Sequence, residues 1–263
     1  RMGILYLEAL RAEEPDAQVL LVDIEPACEA VARHFGAAFL NGDIRWDPTR
    51  LELSLPKARG VVVMTKDDLL NLGIATNILD EAPNLTGKIM VHVGDLSLTR
   101  TLRNGLPAGD SKSIVTVIGH DHLFNSHQVA AQHLVEHKLR AHFARTEATD
   151  VVVLGGFGRF NQTILEVLRS EAAGEFHRVV IVDTQAKLQA RSFAEQVGFG
   201  DYQIEIVEGD MNDPHIWEQV HKATSGVASP AYLLGTDSDS ANLQVALGLG
   251  RRYPAARIFV RCF

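Results

Sequence analysis

The fold class of this 263-residue chain is decided by the stretch Val151-Val152-Val153-Leu154-Gly155-Gly156-Phe157-Gly158-Arg159-Phe160-Asn161. An apolar run of strand length leads into a glycine turn, and a helix-forming segment follows the turn. Strands that are covered by helices on both faces of a parallel sheet have such continuous apolar runs. The stretch therefore predicts a buried strand, a tight turn and a helix, in that order, as in a doubly wound α/β fold.

The same series of landmarks occurs a second time, nearer the start of the chain. When Arg1 is laid on Arg159, the opening residues correspond to the end of the glycine motif and to the helix behind it. The later landmarks then pair in order: residues 20–23 with 180–183, 41–43 with 208–210, Thr65 and Asn71 with Thr236 and Asn242, and 88–93 with 257–262. Such ordered matches are hard to attribute to chance, so we interpret the chain as two copies of one strand–helix unit.

The repeat predicts the fold class α/β, with two Rossmann-like doubly wound parallel-sheet domains in tandem, joined by a crossover helix. We place the first domain at residues 1–148 and the second at 149–263, with the amphipathic crossover helix at about 124–143 in the first. The first copy lacks its opening strand and first two glycines, and the second stops after its fifth strand. We therefore expect this sequence to be part of a longer chain.

Composition excludes several other classes of protein. The 33 acidic residues outnumber the 25 basic ones, which makes the formal net charge −8. A surface that binds nucleic acid needs clustered positive charge, so we expect no nucleic-acid partner. No apolar stretch approaches the roughly 20 residues that span a bilayer. The two cysteines, Cys28 and Cys262, are far apart and suit a reducing compartment better than a disulfide scaffold.

The glycine motif is a candidate phosphate cradle in each copy. In a Rossmann unit the first glycine makes the turn, the second lets backbone approach a pyrophosphate, and the third lets the helix pack closely on the strand. Gly156 and Gly158 supply the first two glycines of the second copy, but Asn161 stands at the third position. The first copy retains the third glycine, Gly3. The alternative is that these glycines only make a tight strand-to-helix turn.

Residues beside the glycine motif are candidate ligand contacts as well. Arg1 and Arg159 follow the turn in their copies, where each either touches the pyrophosphate or makes an interdomain ion pair. Thr65 and Thr236 end the fourth strand of their copies, beside the expected phosphate or nicotinamide end of a bound nucleotide. The asparagines six residues later are as well explained by a structural role as by a ligand contact.

Acidic residues at the ends of the second strands are candidate ribose ligands. Asp23, with Ile24 beside it, and Asp183 follow the glycine motifs by about 20 residues, the spacing at which a carboxylate accepts hydrogen bonds from ribose hydroxyls. The charge of Asp23, reinforced by Glu25, repels a 2′-phosphate, so the first copy should prefer NAD or adenosine nucleotides over NADP. The alternative is that Asp23 caps the next helix.

A Gly-Asp pair follows the third strand of each copy. Asp43 and Asp210 are placed to meet the adenine amino group of a bound nucleotide. The alternative is a simple turn, after which Asp47 or Asp213 caps a helix whose first turn contains proline.

Together these motifs resemble the regulator-of-potassium-conductance domains (RCK or KTN, TrkA-N-like), which are nucleotide-binding modules of potassium channels and transporters. The resemblance covers both copies, through the glycine turn with its arginine, the acid that ends strand two, the Gly-Asp pair and the Thr-x5-Asn motif. It implies a regulatory module that binds NAD or NADH, or alternatively ADP, ATP or AMP. Asn161 and the missing opening strand depart from the family pattern.

The resemblance also implies a setting for the module. We expect a homo-oligomer at the cytoplasmic face of the cell membrane, in which ligand binding rearranges paired domains and controls potassium or other cation transport. The partner is expected to be a membrane-embedded channel or transporter subunit, encoded upstream of residue 1 in the same polypeptide. The family's C-terminal ligand-binding lobe is not present in this sequence.

The alternative function is an NAD-dependent oxidoreductase whose catalytic residues lie outside this segment. Positions four residues after the four tyrosines hold no lysine, so the Tyr-x3-Lys pair of short-chain reductases is absent, and so is a Gly-x-Ser-x-Gly nucleophile motif. We therefore predict no enzymatic activity and no catalytic residues. His133 and His137 are spaced like two metal ligands on one helix, but the sequence has no HExxH motif and no cysteine pair near them, so we predict no metal site.

Overall fold

A computed structural model of the chain describes residues 2–103, 122–144, 150–226 and 230–262. The strands in these residues are β1 (Leu20–Asp23), β2 (Ala38–Asn41), β3 (Val61–Val63), β4 (Ile89–His92), β5 (Leu123–Phe124), β6 (Asp150–Gly155), β7 (Phe176–Asp183), β8 (Gln203–Glu208), β9 (Ala231–Leu234) and β10 (Arg257–Val260). The α-helices are α1 (Met2–Glu13), α2 (Cys28–His34), α3 (Asp47–Glu52), α4 (Asp68–Glu81), α5 (Leu96–Arg103), α6 (Ser126–Leu134), α7 (Arg140–Phe143), α8 (Arg159–Glu171), α9 (Ala186–Gln196), α10 (Pro214–Ala223) and α11 (Asp239–Arg252). They fall into two units, Arg1–Asn125 and Ser126–Phe263.

The second unit has a single parallel sheet of five strands, in the order β10-β9-β6-β7-β8. Numbered within the unit, this order is 5-4-1-2-3, which read in reverse is the order of the first five strands in the Rossmann sheet 3-2-1-4-5-6. The α/β class with parallel sheets that the repeat predicts is therefore confirmed.

The central strand β6 is buried along its whole length because helices cover both faces of the sheet. Val152 and Leu154 point to one face, where they pack in a core cluster with residues of α8 and α9. Val151 and Val153 point to the other face, where they pack with residues of α10 and α11. Alternate side chains of a strand lie on opposite faces, so a strand between two helical layers must be apolar at every position.

The first unit has two separate parallel sheets, β1-β2 and β3-β4-β5. By the repeat, β1 and β2 correspond to β7 and β8, and β3 and β4 correspond to β9 and β10. Among the described residues of this unit, no strand lies between β1 and β3. The short strand β5 lies next to β4, whereas the sequence predicted helix from about residue 124.

The helical segment after β5 packs on the second unit. α6 continues through a π-helical turn, Val135–Leu139, into α7. Its apolar side chains Ala131, Val135 and Leu139 are fully buried in a core cluster that also contains the helix and strand residues of the second unit. The units therefore divide at Asn125 and Ser126, whereas the sequence-based domain bounds of 1–148 and 149–263 place this helix in the first domain.

An arginine on the helix that follows the glycine motif, α1 or α8, binds the end of the next helix along the chain, α2 or α9. Arg11 Nε donates to the carbonyl of Phe35 at 2.7 Å, and its Nη2 donates to the carbonyl of Gly36 at 3.2 Å. Arg169 binds the corresponding turn after α9 through Nη1, at 3.0 Å from the carbonyl of Val197. Gly36 has a φ of 62°, a left-handed conformation that favours glycine at this position after a helix. This shared contact, which the sequence analysis missed, supports the repeat independently of the motifs that defined it.

Two features are absent from residues 2–103, 122–144, 150–226 and 230–262. None of their helices has the length and apolarity that crossing a bilayer requires. No group of three or more histidine, cysteine, aspartate and glutamate side chains is arranged there to hold a metal ion.

Candidate functional site

The glycine turn of the second unit lies between the carboxyl ends of β6 and β9, where the strand order of a doubly wound sheet reverses. Gly156 has a φ of 82°, and a Cβ added to it would lie 2.6 Å from Cγ2 of Thr236. No larger residue fits at this position without a shift of the β9 end. A Cβ added to Gly158 meets no atom within 4 Å, so the backbone there is open. This arrangement, one packed glycine and one open glycine, is the one that a phosphate cradle requires.

Asn161, at the third glycine position, is buried inside the turn. Its Nδ2 donates to three carbonyl oxygens, those of Gly155 at 3.2 Å, Gly156 at 2.7 Å and Leu233 at 3.1 Å. Its side chain also fills the space beside Gly235, where an added Cβ would meet it at 3.0 Å. Asn161 therefore ties the glycine turn to the end of β9, and the departure from glycine has a structural cause.

The carboxylate of Asp183 holds the same turn from the other side. Its Oδ2 accepts a hydrogen bond from the backbone N–H of Phe157 at 2.8 Å, within the glycine turn. Its Oδ1 accepts from the backbone N–H of Gln185 at 2.8 Å and from Nε2 of Gln189 at 3.3 Å. Most of the accepting capacity of this carboxylate is therefore used by the protein.

Asp23 occupies the equivalent place at the end of β1 in the first unit. Its Oδ1 accepts from the backbone N–H of Glu25 at 2.8 Å, as Asp183 does from Gln185. It does not cap α2, because the N-cap residue of that helix is Ala27 and no side chain caps it. The alternative interpretation of Asp23 as a helix cap is therefore wrong. Ile24 beside it is two-thirds exposed, at 67%.

Cys28, in the first turn of α2, is a neighbour of Asp23 that the sequence analysis missed. Burial and the Asp23 carboxylate, which is both a nearby charge and a hydrogen-bond acceptor, raise the pKa of the Cys28 thiol. The thiol is therefore protonated near neutral pH and lies beside the carboxylate predicted to bind ribose. The five-residue spacing between the two was visible in the sequence, but no motif marked it.

Thr65 and Asn71 form one hydrogen-bonded unit at the end of β3. Asn71 Oδ1 accepts from the backbone N–H of Thr65 at 2.8 Å and from its hydroxyl at 2.6 Å. Asn71 Nδ2 donates to the carbonyl of His92, at the end of β4, at 3.0 Å. The fully buried asparagine thus joins the ends of two neighbouring strands.

The second unit repeats this network with Thr236 and Asn242. Asn242 Oδ1 accepts from the N–H of Thr236 at 3.1 Å and from its hydroxyl at 2.7 Å, and Nδ2 donates to the carbonyl of Arg261 at 3.1 Å. The role of both asparagines is therefore structural. The threonine hydroxyls donate to them, so a ligand contact by Thr65 or Thr236 stays a prediction.

Asp43 and Asp210 each close a turn after the third strand. Asp43 Oδ1 accepts from the backbone N–H of Arg45 at 3.0 Å, and hydrogen bonds from the Arg45 side chain and backbone lower the pKa of this carboxyl. Asp210 Oδ1 accepts from the N–H of Asn212 at 2.8 Å. These contacts fit the simple-turn interpretation, while a contact of either carboxylate with adenine stays a prediction.

The helix caps predicted for Asp47 and Asp213 have different outcomes. Asp213 is the N-cap of α10 and accepts from the backbone N–H of His215 at 2.9 Å, which confirms the prediction. Asp47 instead lies inside the first turn of α3, whose N-cap is Trp46, and pairs with Arg50. The cap prediction for Asp47 is therefore wrong, because the helix begins one residue earlier than the proline suggested.

The two arginines predicted to follow the glycine turn are less informative. Arg1 lies outside the described residues. Arg159 begins α8 with an exposed side chain and makes no ion pair within the part of the chain that the structure describes. A contact between either arginine and a pyrophosphate stays a prediction.

Comparison with known proteins agrees with the fold and with the sequence motifs. Residues 1–118 match the family model of the TrkA-N domain. The crystal structure of GsuK bound to ADP is similar to this chain, with a TM-score of 0.60 and 14% sequence identity over 98% of this chain and 56% of that one. The chain thus spans about half the length of GsuK, and at this identity the likeness shows the fold alone. No curated protein matches the chain.

The family match covers the stretch in which the sequence analysis found Gly3, Asp23, Asp43 and Thr65. The resemblance to the regulator-of-potassium-conductance family, whose N-terminal domain is the TrkA-N domain, is thereby confirmed for this part of the chain. Residues 1–118 of this chain are therefore similar to TrkA-N domains.

Proposed function

We propose that this chain is a nucleotide-sensing regulatory module that controls potassium or other cation transport through a membrane channel or transporter. The similarity of residues 1–118 to TrkA-N domains supports a regulatory rather than an enzymatic role. In this proposal the module works at the cytoplasmic face of the membrane, as a homo-oligomer, and acts on a membrane-embedded subunit. A ligand controls such a module by binding one arrangement of its paired domains more tightly than another.

The proposed ligand is NAD or NADH, or alternatively ADP, ATP or AMP. The observation that carries this proposal is the carboxylate of Asp23, which stands at the end of β1 where a ribose would lie. Among the described residues it accepts one backbone hydrogen bond, from Glu25, and one from the Cys28 thiol, while its counterpart Asp183 also holds the glycine turn. Asp23 therefore retains acceptor capacity for two ribose hydroxyls. The ADP bound to GsuK, a protein of similar fold, favours an adenine nucleotide.

The first unit supplies the stronger proposed site. Gly3 at the start of α1, Asp23 and Ile24 after β1, Asp43 after β2 and Thr65 after β3 would line it. All of these strand ends lie at the carboxyl edge of parallel strands, where ligands of doubly wound sheets bind.

The second unit offers an equivalent but more closed site. Its proposed ligand contacts are the open and packed glycines of the turn, the arginine behind them and the three polar residues at the strand ends: Gly156, Gly158, Arg159, Asp183, Asp210 and Thr236. Asn161 occupies the third glycine position and Asp183 is already engaged by the turn, so we expect this site to bind more weakly than the first.

Calorimetric titration with NAD, NADH, ADP, ATP and AMP, alongside a hydride-transfer assay, tests the proposal. Binding of at least one of these without turnover is expected. Turnover of a small substrate with NAD would overturn the regulatory function in favour of the oxidoreductase, and absence of binding by all five would overturn nucleotide sensing.

Cys28 gives this titration a second readout inside the proposed site. In a Cys262→Ser background, which removes the exposed second thiol, a bound nucleotide should slow alkylation of Cys28 because it covers Asp23 and the adjacent thiol. Binding by calorimetry without any protection of Cys28 would place the ligand elsewhere.

A further inference from the structure

The loops that follow β3 and β9 have the same hydrogen bonds but opposite charges. In both, the threonine is bound by the asparagine six residues later. In both, the residue two positions after the threonine caps the next helix: Asp67 accepts from the N–H of Leu70 at 2.9 Å, and Ser238 accepts from the N–H of Ala241 at 3.3 Å. Between these shared contacts, the first unit has Lys66 and the second has Asp237.

The loop that carries this charge lies beside the start of the helix that follows the glycine motif, α1 in the first unit and α8 in the second. In the first unit a Cβ added to Gly3, on α1, would lie 3.9 Å from Sδ of Met64, two residues before Lys66. In the second unit Gly156 packs directly against Thr236, one residue before Asp237. A phosphate in a doubly wound sheet binds between this helix start and the end of strand four. Lys66 and Asp237 therefore stand at the edge of the proposed phosphate site.

The ammonium group of Lys66 has no acidic partner among the described residues. The side chain is exposed, and the two aspartates that follow it are committed elsewhere. Asp67 caps α4, and Asp68 accepts from the backbone N–H groups of Gly94 and Asp95, each at 2.8 Å. The positive charge is therefore available to a ligand.

Asp237 is placed differently. It accepts from Nη1 of Arg261 at 3.1 Å, and the same guanidinium lies over the Phe160 ring, 5.5 Å from its centroid. The guanidinium of Arg261 is thus paired with the Asp237 carboxylate and held against the Phe160 ring. An arriving phosphate would meet a carboxylate at the position where the first unit presents an ammonium group.

We propose that Lys66 is a phosphate-binding residue that selects anionic adenine ligands for the first unit, and that Asp237 disfavours them in the second. This inference rests on the proposed function, because it assumes that the first unit binds an adenine nucleotide. It adds a residue that no nucleotide-binding motif in the sequence marks.

The test compares adenosine, AMP and ADP by calorimetric titration of the wild-type chain and the variants Lys66→Ala and Lys66→Arg. Lys66→Ala should weaken ADP binding about tenfold, the effect of losing one charge-assisted hydrogen bond, and should change adenosine binding by less than about twofold. Lys66→Arg should keep most of the ADP affinity. The matched control is Lys88→Ala, an exposed lysine just before β4, at the opposite end of the sheet, which should change neither affinity.

Three outcomes would overturn the inference. The first is ADP binding that is unchanged in Lys66→Ala. The second is an equal reduction of adenosine and ADP binding, which would indicate a general loss of the site rather than loss of a phosphate contact. A wild-type chain that binds none of the three ligands would overturn the proposed function and this inference with it. As a further readout, raising the salt concentration from about 50 mM to about 300 mM should weaken ADP binding more in the wild type than in Lys66→Ala.

Discussion

In the two units, the corner where the helix after the glycine motif meets the end of β3 or β9 is filled in opposite ways. In the first, Gly3 on α1 lies against Met64 at the end of β3, and in the second, Asn161 on α8 lies against Gly235 at the end of β9. Each pair has one residue without a side chain, on the helix in the first unit and after the strand in the second. The difference shows that the third glycine of a Rossmann motif is one of two solutions to a packing problem.

The strands are also buried to different extents in the two units. In the second unit β7 and β9 flank the central strand β6, and every residue of β9 is buried. In the first unit the corresponding strands β1 and β3 have no described strand between them, and Leu20 is 47% exposed. A central strand of a parallel sheet removes both of its neighbours from solvent, so its effect on burial extends beyond its own residues.

The largest expected effect separates the two glycines of the second unit's turn. Gly156→Ala should lower the free energy of unfolding by about 3 kcal/mol or more, because the residue has a positive φ and its new Cβ would meet Thr236 at 2.6 Å. Gly158→Ala should lower it by less than about 1 kcal/mol, since its φ is −76° and no atom lies within 4 Å of the new Cβ. Urea unfolding measures both, and equal losses would contradict the assigned roles.

The next effect tests the opposite packing of the two helices. Asn161→Ala should lower the free energy of unfolding by about 2 kcal/mol, because three carbonyl oxygens lose the buried amide as a donor, although that of Gly155 keeps the N–H of Gly235. Gly3→Ala, at the corresponding position, should change it by less than about 0.5 kcal/mol, because the new methyl group makes only an ordinary contact with Met64. A similar loss in both variants, measured by urea unfolding, would show that the two corners are not built as described.

The third prediction separates the two carboxylates. Asp23→Ala should weaken binding of NAD or ADP about tenfold and change the free energy of unfolding by less than about 1 kcal/mol, because the carboxylate accepts only an exposed backbone hydrogen bond from Glu25 and one from the Cys28 thiol. Asp183→Ala should do the reverse and lower the free energy of unfolding by about 1–2 kcal/mol, since the glycine turn loses an acceptor. Calorimetry and urea unfolding on both variants decide this, and unchanged affinity in Asp23→Ala would refute the ribose assignment.

The smallest effect is a pH dependence of the first unit. Burial lowers the pKa of His92 below its ordinary value of 6.5, although the nearby Asp68 carboxylate partly opposes the shift. A histidine with a lowered pKa in the folded state favours folding above its unfolded pKa, and this contribution is lost as the pH falls through that value toward the folded pKa. The first unit should therefore lose stability below about pH 6.5.

The variant His92→Gln should flatten this dependence. The second unit has Arg261 instead of a histidine at the corresponding position, so this histidine effect is specific to the first unit. Thermal unfolding between about pH 5 and about pH 8 measures the difference. An unaltered pH profile in His92→Gln would assign the titration to another group.

Most of the fold was predictable from the sequence because its signals are local. The apolar run of β6, the glycine turn behind it and the paired landmarks predicted the parallel sheet and the order of its parts. The helix after β5 was also predicted, but not the unit on which it packs, because the amphipathic pattern shows that one face is buried and not what buries it.

The site was predictable to a smaller extent. Asp23, Asp183 and the threonines were found at the strand ends where the structure places them. For the two aspartates, this is because their spacing from the glycine motif follows from the length of one helix and one strand. The hydrogen bond from Phe157 to Asp183, the burial of Asn161 and the unpaired state of Lys66 were not predictable. Each depends on groups that are distant in the sequence.

The sequence by itself determined the α/β class and the residue types at each strand end, since apolar periodicity and glycine turns act over a few neighbouring residues. Only the tertiary structure decided that the Asp183 carboxylate is already engaged by the glycine turn and that Lys66 has no acidic partner among the described residues. It also decided that the contact between helix and strand end is filled by Met64 in the first unit and by Asn161 in the second. Hydrogen-bond satisfaction and packing are properties of groups that meet in space, so two copies with nearly the same motifs differ in the ligand that they are expected to accept.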